Sequence, residues 1–168
     1  VIGFYYHIKS DYAKALSYYQ KSLQITEELD DKKGMSKCYN NIGIIYRYQG
    51  DYTQALEYYQ RSLKIYQDID YKKGMSSCYN NIGIVYDYQG DYPLALEYYQ
   101  KALKIHKELS DKKGIAASLN NIGLLYNKQG NHPKALEYYQ KSLKLNEELG
   151  DQRGMSDCLN NIGLLYDK

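Results

Sequence analysis

Apolar positions in this chain recur at i, i+3, i+4 and i+7: Tyr39, Ile42, Gly43 and Tyr46 in one stretch, then Tyr52, Ala55, Leu56, Tyr59 and Leu63 in the next. That spacing lines one face of an α-helix and predicts two amphipathic helices in succession. Between them Gly50 tolerates the left-handed backbone that ends a helix, and Asp51 can accept hydrogen bonds from the free amides that begin the next. Pro93 and Pro133 stand in the first turn of the corresponding later helices, where a missing N–H costs nothing. Asp31, Asp111 and Asp151 hold the capping position before the first helix of each pair. Tyr71 stands there in the remaining copy and predicts a weaker start. No stretch reads as a strand.

The pattern returns every 40 residues. Cys38, Tyr39, Asn40, Asn41, Ile42 and Gly43 recur at Cys78 to Gly83, as Ser118 to Gly123 with Leu119 for the tyrosine, and as Cys158 to Gly163 with Leu159. Full units therefore run 31–70, 71–110 and 111–150, with a partial unit at 1–30 and the first helix of a further unit at 151–168. We expect one repeat array cut mid-unit at both ends, a piece of a longer protein. A mid-helix glycine costs about 1 kcal/mol relative to alanine, so Gly43, Gly83, Gly123 and Gly163 need a reason. Close approach to the partner helix supplies it: Ala55, Ala95 or Ala135 comes against the glycine, with Tyr46 and Tyr59 filling the space beside it. Each pair then keeps an apolar flank that only a neighbouring pair can cover, which predicts an all-α solenoid of antiparallel helix pairs.

Composition adds exclusions. A formal charge of +2 gives no electrostatic footprint for a phosphate backbone or an anionic membrane surface, so neither nucleic acid nor membrane is expected as a partner. No stretch approaches the roughly 18 apolar residues of a membrane helix. His7, His106 and His132 occupy three different repeat positions, so stacking brings no two together; no catalytic group, metal site or cofactor is expected. Cys38, Cys78 and Cys158 share one repeat position. In neighbouring pairs such positions lie roughly 9–10 Å apart, too far for a disulfide, which leaves small packing residues with free thiols in a reducing, cytoplasmic setting. Tyr59 and its copies belong to the core, and Tyr58 and its copies to the seam between units.

These residues resemble the tetratricopeptide repeat family, whose pattern is met at Tyr39, Ile42, Gly43, Tyr46, Gly50, Ala55 and Tyr59. The family's second small residue is Ser62, Ala102 or Ser142 here, and its helix-ending proline is replaced by Gln67, Lys107 or Glu147. The second helix can then run on, which makes the period about six residues longer than the usual 34. This form is similar to the repeats of kinesin light chain, of Pins-like spindle adaptors and of bacterial sensor proteins. The resemblance implies a right-handed superhelix and a scaffold without enzymatic activity that binds a protein or peptide segment in a concave groove lined by the first helices. It implies as the alternative a self-association or regulatory module of a larger signalling protein, such as a sensor kinase or transcription regulator.

On the first helix, away from the pair's core, Asn41, Ile44 and Tyr48 form one stripe and Asn40, Ile44 and Arg47 another. Paired asparagines are unfavourable within a helix, yet each amide donates and accepts, which suits an extended peptide backbone. Asn40, Asn80 and Asn120 are expected to bond within the stack more than Asn41, Asn81, Asn121 and Asn161, which by resemblance are the peptide-backbone candidates. Specificity should lie where units differ: Lys37, Ser77, Ala117 and Asp157 at one position, Arg47, Asp87, Asn127 and Asp167 at another, and Tyr48, Tyr88, Lys128 and Lys168 at a third. The groove is thus expected to be basic and aromatic toward its N-terminal end, with Asp and Lys mixed toward the other. Ile44, Ile84, Leu124 and Leu164 occupy a position that the clamp for chaperone C-termini needs polar, so such termini are not expected partners. Apolar residues of the outermost helices, Ile2, Phe4, Tyr5 and Ile8 at one end and Leu159, Ile162, Leu165 and Tyr166 at the other, are expected to support end-to-end or twofold self-association.

Overall fold

The computed structural model describes residues 11–166. Eight helices follow one another: α1 (Tyr12–Glu28), α2 (Lys32–Tyr48), α3 (Tyr52–Asp68), α4 (Lys72–Gln89), α5 (Tyr92–Glu108), α6 (Lys112–Lys128), α7 (His132–Leu149) and α8 (Gln152–Tyr166). No strand occurs among the described residues, and the fold is all-α, built of antiparallel helix pairs of the solenoid class. The chain divides into two compact units, one ending at Val85 and the other beginning at Tyr86, within α4. His7, Ile2, Phe4, Tyr5, Ile8, Asp167 and Lys168 lie outside the described residues.

Helix ends follow the sequence signals. Asp51 accepts the Gln54 N–H at 3.0 Å and Asp31 accepts that of Gly34 at 2.9 Å. At Tyr71, where no side-chain acceptor exists, the Gly74 N–H turns to the Tyr71 carbonyl at 3.0 Å. Gly50 ends the first helix of its pair at φ +80°, a conformation that glycine adopts without steric cost.

In the first unit α2 packs on α3 across Gly43. A Cβ there would lie 2.7 Å from the Tyr59 ring and 3.2 Å from the Ala55 carbonyl oxygen, so the ring occupies the space a side chain would need. Burial pushes the Tyr59 hydroxyl up to about 12, and the ring enters the core as the neutral phenol. Ala15, Tyr19, Ile42 and Ile45 form the cluster that joins α1 to α2, with Tyr46 and Tyr58 packed against it. Tyr58 thus lies at the seam, and it has a second role besides: it stacks on Tyr46 of its own pair, ring centroids 5.4 Å apart.

The second unit repeats the arrangement. A Cβ at Gly123 would lie 2.7 Å from the Tyr139 ring and 3.3 Å from the Ala135 carbonyl oxygen. Tyr138 stacks on Tyr126 and Tyr98 on Tyr86, each at 5.5 Å. His132, at the register of Tyr52 and Tyr92, is half-buried.

All three cysteines are buried and free. The Ser62 hydroxyl donates to the Ser36 carbonyl at 2.8 Å and meets Cys78 Sγ at 3.2 Å; Ser142 does the same with the Ala116 carbonyl and Cys158. One small polar side chain therefore ties its partner helix to the next pair. Burial pushes the Cys78 thiol up to about 11, so at neutral pH it is the unreactive thiol rather than the thiolate.

Replacing Gly43 by Ala must displace the Tyr59 ring or part α2 from α3. We expect a loss of about 1–3 kcal/mol in urea unfolding, although alanine is the better helix former. An unchanged midpoint would show that the ring yields freely.

Candidate functional site

Each unit carries a cleft at the same register, between the N-terminal halves of two successive first helices. In the first unit its volume is about 320 Å³; Lys37, Asn40 and Asn41 of α2 form one wall, and Tyr71, Lys73 and Ser77 form the other. Tyr66 of α3 forms the floor. It reaches that place because Gly74 has no side chain: a Cβ there would lie 2.6 Å from the Tyr66 ring. In the second unit the cleft is about 360 Å³, with Ala117, Asn120 and Asn121 of α6 facing Asp151, Arg153 and Asp157 across a floor of Asn146.

The amide pairs sit where consecutive first helices meet. Asn81 Nδ2 donates to Asn40 Oδ1 at 2.9 Å, and Asn161 Nδ2 donates to Asn120 Oδ1 at 3.0 Å. The first asparagine of one pair thus bonds the second asparagine of the next. The bond within the stack expected for Asn40 and Asn120 exists, and its donor comes from the set expected to face a peptide. Asn120 also lies 3.8 Å from Cys158 Sγ. Asn41 is half-buried in the first cleft and makes no hydrogen bond among the described residues. Asn121 lies in the second cleft, and Asn80 is half-buried on α4.

The other candidates lie along the first helices, outside both clefts. Ile44, Ile84 and Leu124 are half-buried. Toward the helix ends, Tyr48 stacks on Tyr12 of α1 at 6.3 Å beneath the Arg47 guanidinium, 4.4 Å from its ring. Lys128 pairs with Asp87 at 2.7 Å and lies 5.8 Å from the Tyr88 ring. Asn127 approaches the Tyr139 hydroxyl and opposes the rise that burial gives it. Several of these side chains are therefore engaged with one another or with the adjacent helix.

Sequence reasoning missed the floor and far wall of the clefts: Tyr66, Tyr71 and Lys73 in one, Asn146, Asp151 and Arg153 in the other. A signal was present. Gly34, Gly74, Gly114 and Gly154 recur at the third residue of every first helix, while the residues that meet them from the preceding helix, Thr26, Tyr66, His106 and Asn146, differ in every unit. A constant glycine facing a variable side chain marks a place where units are told apart. Among the described residues no group of three His, Cys, Asp or Glu could hold a metal ion, and no helix is long and apolar enough to cross a membrane.

The profile of the tetratricopeptide repeat family matches residues 2–68, 39–108 and 114–168. No curated protein matches the sequence. Among solved structures the chain is similar to BtubC (BKLC) from P. vanneervenii, at 22% identity and a TM-score of 0.86, over 98% of this chain and 69% of that one. It is similar to aspartyl phosphate phosphatase F from Bacillus subtilis at 18% identity and a TM-score of 0.91, over 98% of this chain and 43% of the other. A third is the signal transduction ATPase with numerous domains from Pyrococcus horikoshii that carries a tetratricopeptide repeat sensor, at 22% identity and a TM-score of 0.85, over 98% of this chain and 26% of that one. The chain thus spans less than half of the latter two. At such identities the likeness is one of fold.

Asn81→Ala removes the donor to Asn40 and leaves a half-buried acceptor without it. We expect a loss of about 1 kcal/mol of stability, measured by urea unfolding. No loss would mean that the bond is exchanged for water at no cost.

Proposed function

The chain belongs to the tetratricopeptide repeat family, whose members act as protein-interaction scaffolds, and we propose that its first helices bind an extended peptide segment of a partner protein. The observation that supports this most is Asn41, an amide in the first cleft with donor and acceptor both uncommitted among the described residues, beside the Asn81 to Asn40 bond that fixes the helix opposite. An extended chain offers one N–H and one C=O per residue, and a side-chain amide can meet both at once. Successive helices about 10 Å apart also suit a chain that advances about 3.3 Å per residue, with one side chain entering a cleft at roughly every third position. The asparagine rows of kinesin light chain and Pins-like repeats are the analogy for this groove.

A second reading is a regulatory segment of a larger signalling protein that contacts neighbouring domains or a second copy. The likeness to a protein with a tetratricopeptide repeat sensor favours it, as do Leu159, Leu164 and Tyr166 of α8, which are half or more exposed. It predicts mass that rises with concentration while the groove stays empty.

Selection of 12-residue peptides displayed on phage against the 168-residue chain tests the first reading. We expect a selected peptide to lose about 5–10-fold in affinity on Asn41→Ala, the equivalent of one net hydrogen bond, with the melting temperature unchanged. Peptides that bind Asn41→Ala as well as the parent, or self-association with no peptide selected, would contradict it.

A further inference from the structure

The two clefts share a register but not a charge, and the difference turns on Tyr71. At Asp31, Asp111 and Asp151 the residue before the first helix accepts the N–H of the glycine three positions on. Tyr71 gives up that cap, a loss that typically costs about 1 kcal/mol. In exchange its ring enters the first cleft, 5.4 Å from the Tyr66 ring, and Lys33 Nζ lies over it at 4.1 Å. In the second unit the register-equivalent lysine, Lys113, instead pairs with the capping Asp151 at 3.2 Å.

Charge follows from this exchange. Around the first cleft stand Lys33, Lys37 and Lys73, none paired with a carboxylate among the described residues, and Lys37 and Lys73 are exposed. Nearby Asp31 is committed to its cap, and Asp70 stands in the left-handed turn outside the cleft lining. At the equivalent positions of the second cleft, Lys113 and Arg153 are balanced by Asp151 and Asp157, and Ala117 replaces Lys37. Local rules broken at one repeat only, with a cap lost and an aromatic ring gained beside unpaired cations, mark a functional exception rather than a packing need.

We propose that the cleft formed by α2, α3 and α4 is an acidic-peptide site, taking Asp or Glu side chains of an extended segment against Lys37 and Lys73, with the segment's chain lying on the Tyr66 and Tyr71 rings. Lys33, held over the Tyr71 ring, adds its charge at the edge. The inference rests on the groove reading above and commits its first cleft to one chemistry. Because the cations are solvent-exposed, binding weakens as salt rises.

The test uses peptides selected by phage display on the full chain, synthesised as selected and with every Asp and Glu changed to Asn and Gln. The selected peptides should be rich in Asp and Glu, and the amide versions should bind at least tenfold more weakly at physiological salt. Lys37→Glu with Lys73→Glu should lower affinity for the acidic peptide at least tenfold. Tyr71→Asp should do the same while raising the melting temperature, because it restores the missing cap. That pairing of a more stable fold with weaker binding is one that a purely structural role for Tyr71 would not give. Neutral or basic peptides that still lose affinity on Asn41→Ala would overturn this inference and leave the groove reading standing. Acidic peptides indifferent to both sets of variants would overturn it too, and selection of no peptide would overturn both readings.

Discussion

The helix pairs α2/α3 and α6/α7 each depend on a glycine that leaves room for a tyrosine ring. At Gly43 and Gly123 the rings of Tyr59 and Tyr139 lie where a side chain would begin, and the carbonyls of Ala55 and Ala135 close in beside them. The first and second helix of a pair are thereby brought to near contact along their middles. That spacing lets Tyr46 and Tyr58 stack and lets Ser62 reach the Ser36 carbonyl. It also turns the other face of the first helix, with its two asparagines, toward the next first helix instead of into the pair.

Chemically identical amides on that face divide the labour. Two of them, Asn81 and Asn161, hold neighbouring first helices together through Asn40 and Asn120. A buried or half-buried amide that is paired stabilises, and the same amide unpaired is costly, so these asparagines are part of the fold before they are part of any site. Asn41 belongs to the same row without that commitment among the described residues. The clefts beside these amides differ in charge and aromaticity although the backbone that frames them is repeated. A repeat protein can vary partners in this way without varying its scaffold.

Much of this was legible in the sequence. The helical periodicity, the capping Asp residues, the left-handed Gly50 and the tight approach at Gly43 are local or nearest-neighbour facts, and each leaves a recurring residue at a fixed offset. The weak helix start at Tyr71 was legible as a defect but not as a cleft wall, because only the structure shows Tyr71 beside Tyr66 and Lys33. Spacing alone put Tyr48 and Lys128 on a groove stripe. It could not reveal that one stacks on Tyr12 and the other reaches Asp87, since both contacts join residues from different helices. Nor could it tell which asparagine donates across the stack: two adjacent helix positions differ by about 100°, and the register between helices decides which meets its neighbour.

Side-chain amide spectra of a 15N-labelled chain, recorded while a selected peptide is added, separate the two roles because they report each asparagine individually. If the amides divide as their hydrogen bonds indicate, the Asn81 and Asn161 signals exchange slowly with solvent before the peptide arrives and scarcely move afterwards, whereas the Asn41 signals shift in step with occupancy. Movement of Asn81 and Asn161 with Asn41 unaffected would contradict that division.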